Sequence, residues 1–152
     1  SEETFDAIFD VNIKAAFFCV QQAIRCMKQS GGGAIVLVGS PHAWGGEKDR
    51  AAYAFSKGAL FTLSEHVARH YAADAIRCNY LTMGWTPTEG EIALRKAQRM
   101  TLAELHQFAS SIIPAGRMNE LDDCLPGVVY LLSDCAQMVT GANLRVTGGL
   151  YF

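Results

Sequence analysis

Tyr53 and Lys57 stand four positions apart in the segment Tyr-Ala-Phe-Ser-Lys. On a helix, positions i and i+4 lie on one face, so the phenol and the ammonium project the same way. An ordinary tyrosine has a pKa of about 10, so removing its proton at neutral pH costs roughly 4 kcal/mol. A unit positive charge about 4 Å away, at an effective dielectric constant of about 20, supplies a stabilisation of that size. Lys57 could therefore make Tyr53 a proton donor or acceptor near neutral pH. Taken alone, the same spacing also describes a solvated lysine beside a partly buried tyrosine.

Three further polar or flexible positions could belong to the same site. Ser40 follows an apolar, β-branched run that predicts a buried strand, where its hydroxyl could bond a substrate carbonyl or simply form a turn before Pro41. Asn12 interrupts a predicted apolar helix, so its amide is either exposed or holds a kink and a water. Gly84 ends a second predicted strand, where a missing side chain would let a ligand approach the backbone.

Hydrophobic periodicity predicts the elements that position these residues. Strands alternating with helices indicate right-handed crossovers and a parallel sheet. Three strands form a thin sheet, and the first helix lacks a preceding strand, so we expect the second half of a doubly wound α/β fold. The predicted order is α-β-α-β-α-α-β: helix 2–29, strand 34–38, helix 51–71, strand 76–82, an interrupted helical segment 91–111 with a capping-box start at Thr101, a helix from 119 or 121 to 133, and strand 142–146.

Together these features resemble the short-chain dehydrogenase/reductase family over nearly the whole chain. The family's tetrad of Asn, Ser, Tyr and Lys falls on Asn12, Ser40, Tyr53 and Lys57 in the expected order and spacing. The segments 76–79 and 84–88 are similar to its cofactor loop, and 115–117 and 140–149 to its carboxyl-terminal pattern. Two positions depart from the family: Met83 replaces a usual Pro, and Thr147 replaces a usual Asp before Gly-Gly.

The resemblance implies a Rossmann-like fold, of which residues 1–152 are a single domain. We expect this domain to be the carboxyl-terminal half, without the family's amino-terminal glycine-rich βαβ units. The sequence contains no Gly-x-x-x-Gly-x-Gly, and its Gly31-Gly32-Gly33 run precedes a strand, whereas a phosphate-binding turn should follow one.

The activity implied by the resemblance is hydride transfer between NAD or NADP and a small-molecule carbonyl or secondary alcohol. In the family's scheme Tyr53 exchanges the hydroxyl proton, and Lys57 lowers the pKa of that tyrosine and holds the nicotinamide ribose. Ser40 orients the carbonyl, and Asn12 holds a water that relays protons. The expected cofactor-binding residues are Tyr53, Lys57, Gly84, Thr86 and Thr88.

Substrate contacts are expected from the residues after the two strands and from a lid. The expected contacts are Ser40, His42, Trp44 and Trp85, although a loop histidine is also commonly just solvated. We predict a lid over 87–116 whose apolar residues would suit an apolar or moderately sized substrate. Ordinary helix packing explains the same residues equally well; they are Leu94, Met100, Leu102, Leu105 and Phe108.

Two alternatives remain open. The chain could be a non-catalytic truncated fragment or an assembly module that needs an upstream half. A halohydrin-type lyase on the same fold is a second possibility, but it prefers Arg at the Lys57 position. The family further implies a homodimer or homotetramer formed by the helices 2–29 and 51–71, with these candidate contacts: Ala15, Ala16, Cys19, Ala59, Phe61 and Leu63.

The composition of the 152 residues excludes several other classes. Half of the residues are hydrophobic and 18% are charged, which fits a packed core and excludes a disordered chain. A net charge of −2 does not indicate a surface that binds nucleic acids. We expect no apolar stretch long enough to span a membrane. Five cysteines without a Cys-x-x-Cys pair, and scattered histidines, argue against disulfides or a metal site. We expect buried free thiols and, without a secretory signal, a cytoplasmic protein.

Overall fold

A computed structural model describes residues 1–151 and contains one parallel three-stranded sheet. The strands β1 (Gly33–Gly39), β2 (Ile76–Met83) and β3 (Asn143–Val146) lie in the order β1-β2-β3. The β1–β2 register pairs Gly39 with Thr82, so the two strands end at the same edge of the sheet. This arrangement confirms the predicted Rossmann-like α/β class.

Helices cover the sheet and follow the predicted order closely. The segment expected to be helical but interrupted forms two helices, and the second starts at the capping box of Thr101 and Glu104, as predicted. The helices are α1 (Glu2–Phe9), α2 (Ala16–Ser30), α3 (Ala51–Tyr71), α4 (Glu89–Ala97), α5 (Leu102–Ile112) and α6 (Leu121–Leu132), with 3₁₀ turns at Pro41–Trp44, Ala72–Asp74 and Asp134–Ala136.

The predicted single helix over 2–29 is interrupted by a π-helical segment, Asp10–Ala15. Asn12 lies inside this segment, which agrees with the expectation that its amide competes with regular backbone bonding. π-Helical turns inside α-helices are rare and occur frequently at functional sites. The interruption therefore marks the part of the first helix that carries the candidate tetrad residue.

Two hydrophobic clusters hold the elements together. The larger cluster joins α2, α3 and the first two strands; its buried members are Val20, Ile24, Leu37, Leu60, Val67, Ile76, Cys78 and Tyr80. A smaller cluster fixes α5 beneath the segment after β3, and its members are Leu105, Ala109, Ile113, Met118 and Leu150. Helix α5 is thus anchored by a core of its own.

Strand β1 is less buried than its sequence predicts. It pairs with β2 along one edge, and among residues 1–151 no strand pairs with its other edge. Its first four residues are only partly buried and Val38 is exposed. The expectation of a strand buried on both faces is therefore wrong at Val38, whereas the open outer edge agrees with the prediction that strand 76–82 is the one neighbour of β1 among these residues.

The apolar surface of the long helix differs from the predicted one. Ala16, Phe61 and Leu63 were proposed as subunit contacts, but they pack against the larger core cluster. The predicted contacts Ala15 and Cys19 are exposed, and the large exposed apolar side chains of these helical segments are Phe5, Val11, Phe17, Phe18 and Phe55.

The segment Glu2–Ser30 is also long and apolar enough to cross a membrane, by length and composition alone. No such stretch was expected from the sequence. Its inward face nevertheless packs on the sheet through Val20 and Ile24, as a helix of a globular α/β domain does.

The expectation of five buried thiols was wrong for three of them. Cys19, Cys26 and Cys135 are exposed, because α2 and the turn after α6 present these positions away from the sheet. Cys78 and Cys124 are buried, and burial raises the pKa of the Cys78 thiol to about 12.

Candidate active site

A cavity of about 370 Å³ opens beyond the carboxyl ends of β1 and β2. Two predicted catalytic residues, Ser40 and Tyr53, line it together. The predicted cofactor or substrate residues His42, Gly84, Trp85, Thr86 and Thr88 also contribute to its wall. Open α/β sheets bind ligands at this edge. The predicted residues that do not line the cavity are Asn12, Lys57 and Trp44.

Ser40 is buried at the point where β1 passes into the 3₁₀ turn. Its Oγ accepts a hydrogen bond from the backbone N–H of His42 and lies 3.3 Å from the Nδ1 atom of that histidine. Burial is the main cause that lowers the pKa of His42 below its ordinary value, with Arg50 adding to the effect. The hydroxyl is therefore held at the cavity wall beside an imidazole that favours its neutral form.

Tyr53 and Lys57 occupy the first two turns of α3. The Lys57 Nζ lies 5.7 Å from the centre of the Tyr53 ring and donates a hydrogen bond of 3.1 Å to the carbonyl of Val38. Burial lowers the pKa of Lys57. The ammonium lies behind the tyrosine, between α3 and β1, where its charge acts on the phenol ring.

Asn12 connects the π-helical segment to the helix that carries Tyr53. Its Nδ2 donates to the Oγ of Ser56 at 3.0 Å, and that hydroxyl donates to the carbonyl of Tyr53 at 2.7 Å. Ser56 is fully buried, so this two-step contact is shielded from water. In the structure, Asn12 reaches the site through the backbone of Tyr53.

Tyr80 is a site residue that the sequence reasoning missed. Its buried hydroxyl donates to the carbonyl of Lys57 at 3.0 Å and accepts from the backbone N–H of Ser40 at 3.3 Å. Burial raises the pKa of Tyr80 to about 12, so the phenol stays protonated and keeps donating. A Cβ atom at Gly39 would overlap the Tyr80 ring, which explains the glycine directly before Ser40.

A group of four charged side chains was also missed. Glu47 and Arg50 from the loop after β1, and Glu91 and Arg95 from α4, form one side of the cavity, here called the charged wall. Their ion pairs include Arg95 Nε to Glu91 Oε1 at 2.7 Å and Arg95 Nη2 to Glu47 Oε1 at 3.6 Å. In the sequence these residues look like ordinary solvated charges, because 44 positions separate Glu47 from Glu91.

The apolar lining expected from the lid is only partly present. Of the predicted apolar lid residues only Phe108 lines the cavity, whereas Leu105 is buried in the smaller cluster. Leu94 and Leu102 are exposed outside the cavity. The face that α4 turns toward the cavity is charged, which corrects the expectation of an apolar lid surface.

Trp44 lies outside the cavity as well. Its ring packs edge-on against Phe61 and Tyr80, and the Arg145 guanidinium lies 5.0 Å from the ring centre. It lines a separate small cavity with Tyr151. The 3₁₀ turn directs His42 and Trp44 to different sides, so the two predicted substrate contacts are separated.

The donor and acceptor groups that line the cavity, together with Lys57 behind Tyr53, fit a nicotinamide nucleotide. Lys57 has three N–H donors and one described hydrogen bond, which leaves donors for ribose hydroxyls. The Thr86 hydroxyl donates to Gly84 and retains acceptor capacity for an amide. The Thr88 hydroxyl accepts from Glu91 as the N-cap of α4 and retains a donor for a phosphate. A Cβ at Gly84 would meet Thr147 of the neighbouring segment, so sheet packing also requires this glycine.

Comparison with known proteins identifies the family. A family model described as Enoyl-(Acyl carrier protein) reductase matches residues 1–151. The protein belongs to the short-chain dehydrogenase/reductase family.

Two relatives illustrate the range of the family. An L-rhamnose 1-dehydrogenase (NAD(P)(+)) from Azotobacter vinelandii is 39% identical over 145 residues, covering 92% of this chain and 53% of the relative. A 3alpha-hydroxysteroid dehydrogenase from Mediterraneibacter gnavus is 36% identical, covering 96% of this chain and 56% of the relative. The chain thus spans about half the length of these relatives.

A solved structure supports the fold in detail. The gluconate 5-dehydrogenase from Burkholderia cenocepacia in complex with NADP and tartrate superposes with a TM-score of 0.88 at 28% identity. The match covers 99% of this chain and 57% of that structure. The three-stranded sheet and its helices thus match 57% of that NADP-bound structure.

Proposed function

We propose that this chain is the catalytic part of an NAD- or NADP-dependent oxidoreductase that interconverts a carbonyl compound and a secondary alcohol. The observation that carries the proposal is the placement of Ser40 and Tyr53 on one cavity wall, with the Lys57 ammonium 5.7 Å from the Tyr53 ring. The family and the NADP-bound structural neighbour support the cofactor class.

The chain's own residues divide the chemistry between orientation and proton transfer. When bound, the nicotinamide supplies or accepts the hydride. The Ser40 hydroxyl orients the carbonyl oxygen by a hydrogen bond, and the Tyr53 phenol gives or takes the proton on the same oxygen. Lys57 stabilises the tyrosinate by its charge. Asn12 keeps the first turn of α3 in place through Ser56.

The proposal predicts that Tyr53→Phe in the full-length protein removes nearly all turnover. A positioned acid/base group contributes about 10²–10⁴-fold to the rate, and phenylalanine keeps the ring while removing the transferable proton. Turnover is followed by nicotinamide absorbance, and circular dichroism checks the fold. Activity retained within threefold in a folded Tyr53→Phe protein contradicts the assignment.

A non-catalytic fragment is the second candidate, because the outer edge of β1 has no partner strand among residues 1–151. Under that alternative the 152 residues serve as an assembly module for an upstream half. The two candidates differ in one measurement, since only the first predicts nicotinamide-dependent turnover when the cofactor-binding half is present.

A further inference from the structure

The charged wall combines two carboxylates with two guanidinium groups in close contact. Arg50 forms an ion pair with Glu47, and the Nη2 atom of Arg50 lies 4.0 Å from Glu91 Oε2. Arg95 forms ion pairs with both Glu47 and Glu91. The side chains of Glu91 and Arg95 are only 12% and 11% exposed. The wall is thus a partly buried, charge-balanced network that faces the same cavity as Ser40 and Tyr53.

Neighbouring aromatic groups hold this network in place. The Trp85 Nε1 donates to Glu91 Oε1 at 2.8 Å, and the Arg95 guanidinium lies 4.9 Å from the centre of the Trp85 ring. Phe108 packs edge-on against the other side of Trp85 at 6.0 Å. The carboxylates and guanidinium groups are therefore presented in a set geometry, as preorganised acceptors and donors.

Resting on the proposed function above, we propose that the substrate is a neutral polyhydroxylated compound, an aldose or a polyol. Each of its hydroxyls can donate to a carboxylate oxygen of the charged wall and accept from a guanidinium N–H. Its C–H surface faces the apolar side chains of Phe108, Ile112 and Leu150 on the cavity wall. The carbon that reacts lies beside Ser40 and Tyr53.

The charge balance of the wall argues against two other substrate classes, carboxylates and apolar alcohols. A carboxylate substrate needs an uncompensated cation, but each guanidinium here lies within 4.0 Å of a carboxylate. An apolar alcohol would displace water from the four charged groups without replacing the hydrogen bonds of that water. Leaving these groups without partners costs free energy of binding. A neutral ligand rich in hydroxyls replaces the lost water on both kinds of group.

The test compares substrates of similar size with the full-length protein and nicotinamide cofactor. The panel holds aldoses and polyols, apolar secondary alcohols, and hydroxy acids. We expect kcat/KM to be at least about tenfold higher for the best polyol or aldose than for any member of the other two classes. A protein that turns over apolar alcohols or hydroxy acids best contradicts this inference while leaving the proposed oxidoreductase function intact. No turnover of any alcohol or carbonyl compound contradicts both.

Variants of the charged wall test the mechanism of selection. Glu91→Gln removes one carboxylate charge and keeps the size of the side chain, so KM for the polyol should rise about tenfold while the apolar alcohols are little affected. Glu89→Gln is the matched control, because Glu89 is an exposed carboxylate on the same helix outside the cavity.

A second variant covers the case in which Glu91→Gln loosens α4. Glu47 lies in the loop after β1, outside every helix and strand, and Glu47→Gln should change the polyol-to-apolar ratio of kcat/KM in the same direction. If the ratio stays constant in both variants, the charged wall does not select the substrate and the inference is overturned.

Discussion

One buried hydroxyl, that of Tyr80, joins the two segments that carry the proposed catalytic groups. It accepts from the N–H of Ser40 at the end of β1 and donates to the carbonyl of Lys57 in α3. Both partners are backbone groups, so the bond sets the distance between strand and helix rather than the rotamer of a side chain. Gly39 provides the space for the ring.

We therefore expect Tyr80→Phe to lower kcat about tenfold or more with little change in KM for the cofactor. The substitution leaves a buried N–H and a carbonyl without this partner, at a cost of about 1–3 kcal/mol. A small displacement of Ser40 relative to Tyr53 then slows the chemical step. Steady-state kinetics and thermal unfolding measure the two effects.

Tyr71→Phe is the matched control for this variant. Tyr71 lies partly buried at the end of α3, and its hydroxyl makes no hydrogen bond to another described residue. If Tyr71→Phe and Tyr80→Phe have the same kcat, the hydroxyl of Tyr80 does not position the site.

For single residues, contacts between positions close in the sequence can be predicted, whereas contacts between different strands and loops cannot. The spacing of Tyr53 and Lys57 predicts a shared helix face because helical periodicity is local. The contact of Tyr80 with Gly39 depends on the β1–β2 register, which no local pattern in the sequence specifies. The charged wall was missed for the same reason.

At the scale of the elements, hydrogen bonds of a capping box stabilise the amino-terminal end of α5. The Thr101 hydroxyl accepts from the N–H of Glu104, and the Glu104 carboxylate accepts from the Thr101 N–H at 2.8 Å. The Thr101 N–H and the Thr101 hydroxyl both donate to this carboxylate, and these two bonds lower the pKa of Glu104. The capping box thus holds the amino-terminal end of α5, the helix that brings Phe108 to the cavity.

Thr101→Ala should destabilise the fold by about 1 kcal/mol, the usual value of a lost helix cap. KM for the substrate should rise more than kcat falls, since the lid helix becomes less ordered while Ser40 and Tyr53 are untouched. Thr62→Ala on α3 is a control without a capping role, because its hydroxyl contacts only the Gly58 carbonyl at 3.4 Å. Equal effects of the two variants on KM would contradict a lid role for α5.

The same capping box has a defined pH dependence. A carboxyl group whose pKa is lowered on folding stabilises the protein above its ordinary pKa, 4.5 for Glu104. That contribution declines as the pH falls through the lowered pKa of the folded state. Thermal unfolding of the wild type and Glu104→Gln should therefore converge in acid and differ above about pH 5.

Element boundaries were predictable where capping and breaking residues are strong. Helix α3 has the predicted bounds, and Thr101 begins α5 as its capping-box spacing indicates. The π-helical segment at Asp10–Ala15 was not predicted, since apolar periodicity continues through it and its stabilising contact, Asn12 to Ser56, is tertiary.

On the scale of the whole molecule, the first helix presents an apolar surface toward no described element. Val11 in the π-helical segment is 70% exposed, and Phe18 in α2 is 56% exposed. Phe55 on the adjoining α3 is 67% exposed. Since the family resemblance implies a dimer or tetramer formed by the helices 2–29 and 51–71, we propose that this surface contacts a second copy of the chain.

Phe18→Glu should then weaken self-association of the full-length protein. Losing the burial of one phenylalanine costs about 1.5–3 kcal/mol, so the dissociation constant should rise at least about tenfold. Sedimentation velocity over a range of micromolar concentrations measures the shift, with Gln107→Glu at an exposed position of α5 as a control for one added negative charge. A wild-type protein that is strictly monomeric under these conditions contradicts the proposed interface.

The open edge of β1 leads to the last prediction, which concerns the 152 residues by themselves. Parallel strands are stable when paired on both edges and covered on both faces, and β1 has only β2 as a neighbour among the described residues. An open apolar edge favours aggregation or pairing with another chain. Nicotinamide nucleotides also need a pyrophosphate anchor, which a glycine-rich turn at a helix N-terminus usually provides and which this sequence lacks.

Residues 1–152 alone should therefore show no saturable binding of NADH or NADPH at micromolar concentrations, because Lys57 would hold only the nicotinamide ribose and the Thr88 hydroxyl only one phosphate. Isothermal calorimetry and nicotinamide fluorescence measure the binding, with the full-length protein as the positive control. Adding a separate chain that carries a glycine-rich βαβ half of the family type should restore binding and reduce aggregation, if that chain provides a strand neighbour for β1 and a phosphate-binding turn. Micromolar binding by a folded monomer of the 152 residues would show that this half-sheet suffices to hold the cofactor.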